Sequence, residues 1–248
     1  MCDALVDLGR HLFYDQRLSV DGTMFCASCH EQARAFPDRP QADLFTITRA
    51  LGAFQRTLIS VGSPYDAFVY GGDRMAMSDA AVRGMDLFFD HRLECYHCHL
   101  GLNFSNNLLT SRSAMPEMGF HNTGLGASVG MEEFTLNPRD RGRVRTPSLR
   151  NVAVTAPYMH DGRFQTLEQV IRHYAAGGEA ARLGQPDPLR DQLIIGFQIS
   201  DAEIADLTAF LQSVTDEDFL ADPAFANPWP EGHLANGEDA TPPETDPS

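Results

Sequence analysis

Five cysteines occur in the 248 residues, and four of them form two pairs of one spacing: Cys26 with Cys29, and Cys95 with Cys98. A histidine follows each pair directly, giving C-A-S-C-H at 26–30 and C-Y-H-C-H at 95–99. C-x-x-C-H is the attachment signature of a c-type haem. Two thiols add across the two vinyl groups of one macrocycle and tie it to the backbone. The imidazole that follows, His30 or His99, is then held under the iron as its proximal ligand. Two C-x-x-C knuckles also describe a zinc site. That reading gives no reason for a histidine after both pairs, and a disulfide reading gives none either. His97 lies inside the second motif and reads as a side chain at a variable position, and Cys2 is left over.

The elements that must position these groups read as helices. Residues 3–14 place Leu5, Val6, Leu8, Leu12 and Phe13 on a helical stripe, and residues 43–60 do the same with Leu44, Ile47, Leu51, Phe54 and Leu58. Residues 62–72 (GSPYDAFVYGG) are rich in turn formers and read as a linker. Ser78 caps a helix over 78–90. Thr166 with Gln169 is a capping-box spacing that opens a helix through about Tyr174, and Ser200 with Glu203 opens another over 201–213. Residues 100–150 show little periodicity and read as loops. From about Asp222 the chain is acidic and Pro-rich, which reads as a mobile tail. The fold class expected is therefore mainly α, with long loops and little sheet.

A repeat underlies this order. G-x-x-L-F-[YF]-D-x-R-L precedes the cysteines twice, from Gly9 and again from Gly84. Two similar units are expected, each a cytochrome c-like domain around one covalent haem. The divisions are residues 1–74, residues 75–221 and a tail at 222–248.

Composition narrows the partners. Hydrophobic residues make up 43% of the chain, enough for a packed core. The formal charge is −15, and all 19 basic residues are Arg. An acidic surface repels phosphate backbones, so no nucleic-acid partner is expected, and a basic protein patch or a small neutral substrate is favoured. No stretch is long and apolar enough to span a bilayer, and the first residues read as a charged helix rather than a signal peptide. Covalent haem is assembled outside the cytoplasm, so the periplasm is the expected location.

With these residues in view, the chain resembles the bacterial di-haem cytochrome c peroxidases and their MauG-like relatives, with a leaning to the methanobactin-associated branch (MbnH). The resemblance rests on L-G-R-H-L-F-Y-D-Q-R-L-S-x-D-G-x-x-x-C-A-S-C-H near the N-terminus and on T-P-S-L-R-N-V-A-V-T-A-P-Y-M-H-D-G at 146–162, with 47–58 and 63–73 also similar. It implies that the N-terminal haem, on His30, reacts with hydrogen peroxide. The C-terminal haem, on His99, passes electrons. The sixth ligand of that second iron is Met in ordinary members and Tyr in MauG-like ones, and the matching position is Tyr174. On the residues alone Tyr174 is an amphipathic-helix tyrosine. As a ligand, a phenolate is a hard anionic donor that favours ferric and higher states. His173 is a rival that points elsewhere on the helix, and Met159 is a second rival that reads as core. A calcium ion between the haems is implied too, with backbone oxygens of Thr155 and Pro157 at two ligand positions.

One stretch departs from the resemblance. Relatives carry a long segment where this chain runs through Ala35–Asp43, so the N-terminal domain looks internally truncated. That segment supplies a catalytic Glu, the calcium Asn and usually a Trp between the haems. Peroxide cleavage needs a general acid–base beside an open iron position. Glu31 follows the proximal His on the wrong side, Asp15, Asp21 and Asp38 read as surface charges, and the sole Trp, Trp229, lies near the tail. The expected function is a di-haem oxidoreductase that uses hydrogen peroxide to oxidise a redox partner protein. The alternatives are a non-catalytic di-haem electron-transfer cytochrome and a zinc-knuckle interaction module.

Overall fold

The computed structural model describes residues 3–13, 44–107, 119–126, 130–226 and 228, so Cys2, Cys26, Cys29, His30 and Trp229 lie outside the described residues. Two compact units divide the chain: residues 1–59 together with 218–248, and residues 60–217.

The first unit is built on α1 (Asp3–Leu12) packed against α2 (Leu44–Gln55). Their crossing point is Gly9. A methyl group there would sit 1.6 Å from the Ala50 carbonyl oxygen, so only glycine lets the two backbones come this close. One turn further on, the Phe13 and Phe54 rings lie 5.6 Å apart. Val6, Leu51, Leu58 and Phe225 pack around them. Phe225 belongs to the stretch read as a free tail. Residues 222–226 are in fact docked. The Arg10 guanidinium donates to the carbonyls of Pro223 (3.3 Å) and Ala226 (2.8 Å), and the Phe225 ring lies 5.0 Å from that of Phe219. The two phenylalanines supply apolar surface that the acidic composition around them masks.

The second unit begins inside the stretch read as a linker. Residues 64–69 form a helix, α3 (Pro64–Val69), closed by a reciprocal capping box between Ser63 and Asp66. Pro64 stands in its first turn, where a missing N–H costs nothing. Tyr65, Asp66 and Phe68 are buried, and residues 60–74 pack with the second unit. Then come α4 (Asp79–Phe88), capped by Ser78, and the single turn α5 (Cys95–Cys98). The long segment after it is mostly irregular. It holds an antiparallel pair, β1 (Phe120–Asn122) with β2 (Arg143–Arg145), in which His121 faces Val144, and a short α6 (Glu132–Thr135). α7 (Leu167–Ala175), α8 (Glu179–Arg182) and α9 (Asp201–Ser213) complete the second unit, and α10 (Glu217–Ala221) falls almost wholly in the first. The Thr166/Gln169 and Ser200/Glu203 capping boxes both form. The mainly α character with little sheet is as expected.

α4 and α9 repeat the crossing of α1 and α2. Gly84 stands against the Asp206 carbonyl, where a methyl group would sit 1.9 Å from oxygen, and the Phe88 and Phe210 rings are 5.0 Å apart. Both glycines open the sequence repeat. Their partners also repeat, in a match the sequence reading missed: L-G-A-F-Q-R-T-L at 51–58 and L-T-A-F-L-Q-S-V at 207–214. The hydroxyls of Thr57 and Ser213 each donate to the carbonyl three residues back, Phe54 and Phe210, at 2.7 Å.

Candidate functional site

Beside the α4–α9 crossing, the second unit encloses a largely apolar cavity of about 490 Å³. Cys95, Cys98 and His99 line it, together with Ile171 and Tyr174 of α7 and Leu207 of α9. Cavities of this size accept ligands of several hundred daltons.

Local geometry explains how the cysteine segment presents itself. Glu94, in the left-handed region at φ +59°, turns the chain into α5, and the His99 N–H closes that turn on the Cys95 carbonyl at 3.0 Å. His99 Nδ1 lies 2.9 Å from the Phe104 carbonyl oxygen. A carbonyl only accepts, so Nδ1 carries the proton and Nε2 keeps a free lone pair. Burial pulls the His99 pKa down to about 4, which keeps the ring neutral and available as a ligand. Cys95 and Cys98 are not disulfide-bonded. Burial pushes their thiols up to about 12 and about 11, so both are protonated at neutral pH. Among the described residues no three His, Cys, Asp or Glu side chains converge as a metal site.

Tyr174 lines the cavity, and its hydroxyl is held well above the usual tyrosine range, first by burial and then by proximity to Cys98 and Cys95. His173, its neighbour on α7, is buried elsewhere, with Nε2 2.8 Å from the Thr123 carbonyl. Met159 requires a correction. It is not part of the apolar core but lines the cavity, from a backbone at φ +70°. Thr155 and Pro157, expected near calcium, line the same cavity and are exposed. His97 is turned outward to the Glu94 carboxylate.

Two further constellations were not legible in the sequence. His121 lines the cavity with Nδ1 2.6 Å from Asp191 Oδ2, while Nε2 accepts from the Asn106 amide at 3.0 Å. Arg150, from the T-P-S-L-R-N stretch, forms a buried ion pair with Asp66, at 2.5 and 2.9 Å. No local pattern marks either pair, since the partners stand 70 and 84 residues apart.

The chain is similar to known proteins in sequence and in fold. A family profile described as di-haem cytochrome c peroxidase matches residues 3–44. The methylamine utilization protein MauG of Methylophilus methylotrophus is 34% identical over 176 residues, covering 68% of this chain and 46% of its own length. The cytochrome c peroxidase Ccp of Escherichia coli (strain K12) is 30% identical over 168 residues, covering 68% of this chain and 32% of its own. The chain thus spans about half the length, or less, of these curated relatives. Among solved structures, a MauG-like protein associated with microbial copper homeostasis superposes with a TM-score of 0.79 at 33% identity, covering 93% of this chain and 94% of that one. The di-haem peroxidase BthA of Burkholderia thailandensis E264 shares the fold, with a TM-score of 0.51 at 23% identity over 71% of this chain and 52% of its own. Among the described residues no helix is long and apolar enough to cross a membrane.

Proposed function

The chain belongs to the di-haem cytochrome c peroxidase and MauG family, and on that footing we propose that it is a di-haem c-type oxidoreductase that uses hydrogen peroxide to oxidise a partner protein. The observation that carries this reading is one cavity lined by Cys95, Cys98, His99 and Tyr174. The two thiols are candidates for thioether bonds to a porphyrin, and His99 Nε2 for the proximal position. Tyr174 is the residue we assign to the sixth position. A haem held there supplies an iron that accepts and returns single electrons.

The protein's own groups define the rest. The cavity lining is largely apolar, and the Phe104 carbonyl fixes the tautomer of His99. Burial disfavours the bare phenolate of Tyr174, so its oxygen would lose the proton to solvent or a base only with a cation there to take the phenolate's lone pair. A second haem, on Cys26, Cys29 and His30, is the site we assign to peroxide, with electrons passing between the C-terminal and N-terminal haems. Peroxide takes two electrons and two protons to become two waters, and the partner loses those electrons. The charge of −15 suits a partner with a basic patch. A calcium ion on the oxygens of Thr155 and Pro157, with water at the remaining positions, belongs to the same proposal. So do a periplasmic location and a place in the methanobactin-associated branch.

A carrier without catalysis is the second reading, motivated by the missing acid–base segment near Ala35–Asp43. Relatives that are named peroxidases favour the enzyme. Hydrogen peroxide added to the holoprotein is expected to change the Soret spectrum within the mixing time. A spectrum unchanged at both haems would leave only the carrier. Covalent attachment is read separately, as a mass two haems above the polypeptide.

A further inference from the structure

Arg150 sits at the hub of a buried network that ends on His99. Its Nη1 and Nη2 donate to the two oxygens of Asp66 at 2.5 and 2.9 Å, and its Nε donates to the Leu102 carbonyl at 2.8 Å. The flat face of the same guanidinium lies 5.2 Å from the centre of the Phe104 ring. Leu102 and Phe104 flank Asn103, whose carbonyl is taken from the same side by the Ser148 hydroxyl at 2.8 Å and the Leu149 N–H at 3.3 Å. The 148–150 stretch therefore grips residues 102–104 at three successive points.

What it grips is strained. Phe104 has φ +49°, a left-handed conformation that a bulky side chain rarely adopts, and its ring is 1% exposed. Such a residue persists only where its surroundings over-determine it. Arg150 on one face and the rings of Tyr65, Phe88 and Phe210 around it do so. The turn at Phe104 aims its carbonyl at His99 Nδ1. The hydrogen bond to the outer nitrogen of a ligating imidazole sets its orientation and raises its basicity.

We propose that Arg150, locked by Asp66, is a positioning residue for His99: it holds the strained Phe104 carbonyl against Nδ1 and thereby sets the donor strength of Nε2 towards the haem iron. The inference rests on the haem reading of the cavity. It needs arginine in particular. One edge of the fork engages Asp66 while Nε and the flat face remain for Leu102 and Phe104. Lysine would preserve the charge and lose both.

The test is Arg150→Lys in the haem-loaded protein, with Arg83→Lys, at the exposed pair with Asp206, as the control. Redox titration and the ferric EPR g-values of the His99 haem are the readouts. A weaker hydrogen bond to Nδ1 leaves a poorer donor to ferric iron. The ferric/ferrous balance is expected to shift about tenfold towards ferrous, about 59 mV for one electron, with altered g-values at that haem and none at the other. Arg83→Lys is expected to change neither. An Arg150→Lys protein that melts lower but keeps wild-type potential and g-values would reduce Arg150 to a structural residue and overturn the proposal. If Arg150→Lys yields no holoprotein, the isosteric Asp66→Asn decides: a smaller shift in the same direction supports the inference, and an unshifted potential overturns it. A colourless wild-type protein would instead remove the haem reading itself.

Discussion

In the first unit Gly9 meets the Ala50 carbonyl and Phe13 meets Phe54; in the second Gly84 meets the Asp206 carbonyl and Phe88 meets Phe210. The crossing is the same and its surroundings are not. Phe210 also lies within 5.8–6.3 Å of Tyr65, Phe89 and Phe104, and the same helix, α9, forms part of the cavity wall through Leu207. In the first unit the chain's C-terminal segment covers the crossing instead, through Phe225. A glycine-mediated contact between two helices is thus a fixed frame, and the aromatic layer and cavity wall beside it are fitted to it separately.

The largest way to break this comparison is to remove one cofactor. Replacing Cys95 and Cys98 together by Ala is expected to halve the covalent haem, seen as a mass one haem above the polypeptide. A protein stripped of both haems would show that the units do not mature independently. Next in size, Phe210→Ala is expected to cost about 3–5 kcal/mol in urea unfolding of the apoprotein. Phe54→Ala measures the other crossing. Equal losses would mean that the crossing itself, and not the rings around Phe210, carries the stability.

Glycine substitutions sharpen the point. Gly84→Ala and Gly9→Ala each gain about 1 kcal/mol of helix propensity, but forced separation of the backbones costs about 1–3 kcal/mol or more. A net loss is expected in both. Gly52, in α2, has nothing within 4 Å of an added methyl group, so Gly52→Ala is expected to stabilise by about 0.5–1 kcal/mol. A stabilising Gly84→Ala would refute the close crossing. A last prediction is a pH dependence confined to the second unit. The folded apoprotein holds His99 at about 4, below the ordinary histidine value of 6.5, because burial disfavours the charged ring. The unfolded chain therefore takes up that proton first. The contribution is fully present above about pH 6.5 and is lost as pH falls towards 4, at up to about 1.4 kcal/mol per pH unit. Urea melts at pH 7 and pH 5 measure it, and equal midpoints would refute the burial of His99.

Local signals were the legible ones. Ser78, Thr166 and Ser200 marked helix starts that form as read, because a cap depends on residues within one turn. The C-x-x-C-H motif grouped Cys95, Cys98 and His99, and the structure brings all three to one cavity. The helix at 64–69 was hidden by its own Pro64, which signals a turn unless the Ser63–Asp66 box beside it is weighed. Met159 was misplaced because hydrophobicity separates buried from exposed and does not separate core from cavity wall. The second half of the repeat is faint in sequence because 51–58 and 207–214 share only Leu, Ala, Phe and a hydroxyl residue. Arg150 and Asp66, with nothing local to link them, were beyond any pattern of that kind.

Neighbouring positions on an α-helix project about 100° apart, and α7 applies that rule to His173 and Tyr174, one turned to Thr123 and the other to the cavity. A single residue inserted near Thr166 would rotate the helix by that angle and carry an imidazole towards where the phenol now stands. Exchange of the polar side chain at this wall is therefore one insertion away, and a lineage could reach it without first evolving a new side chain.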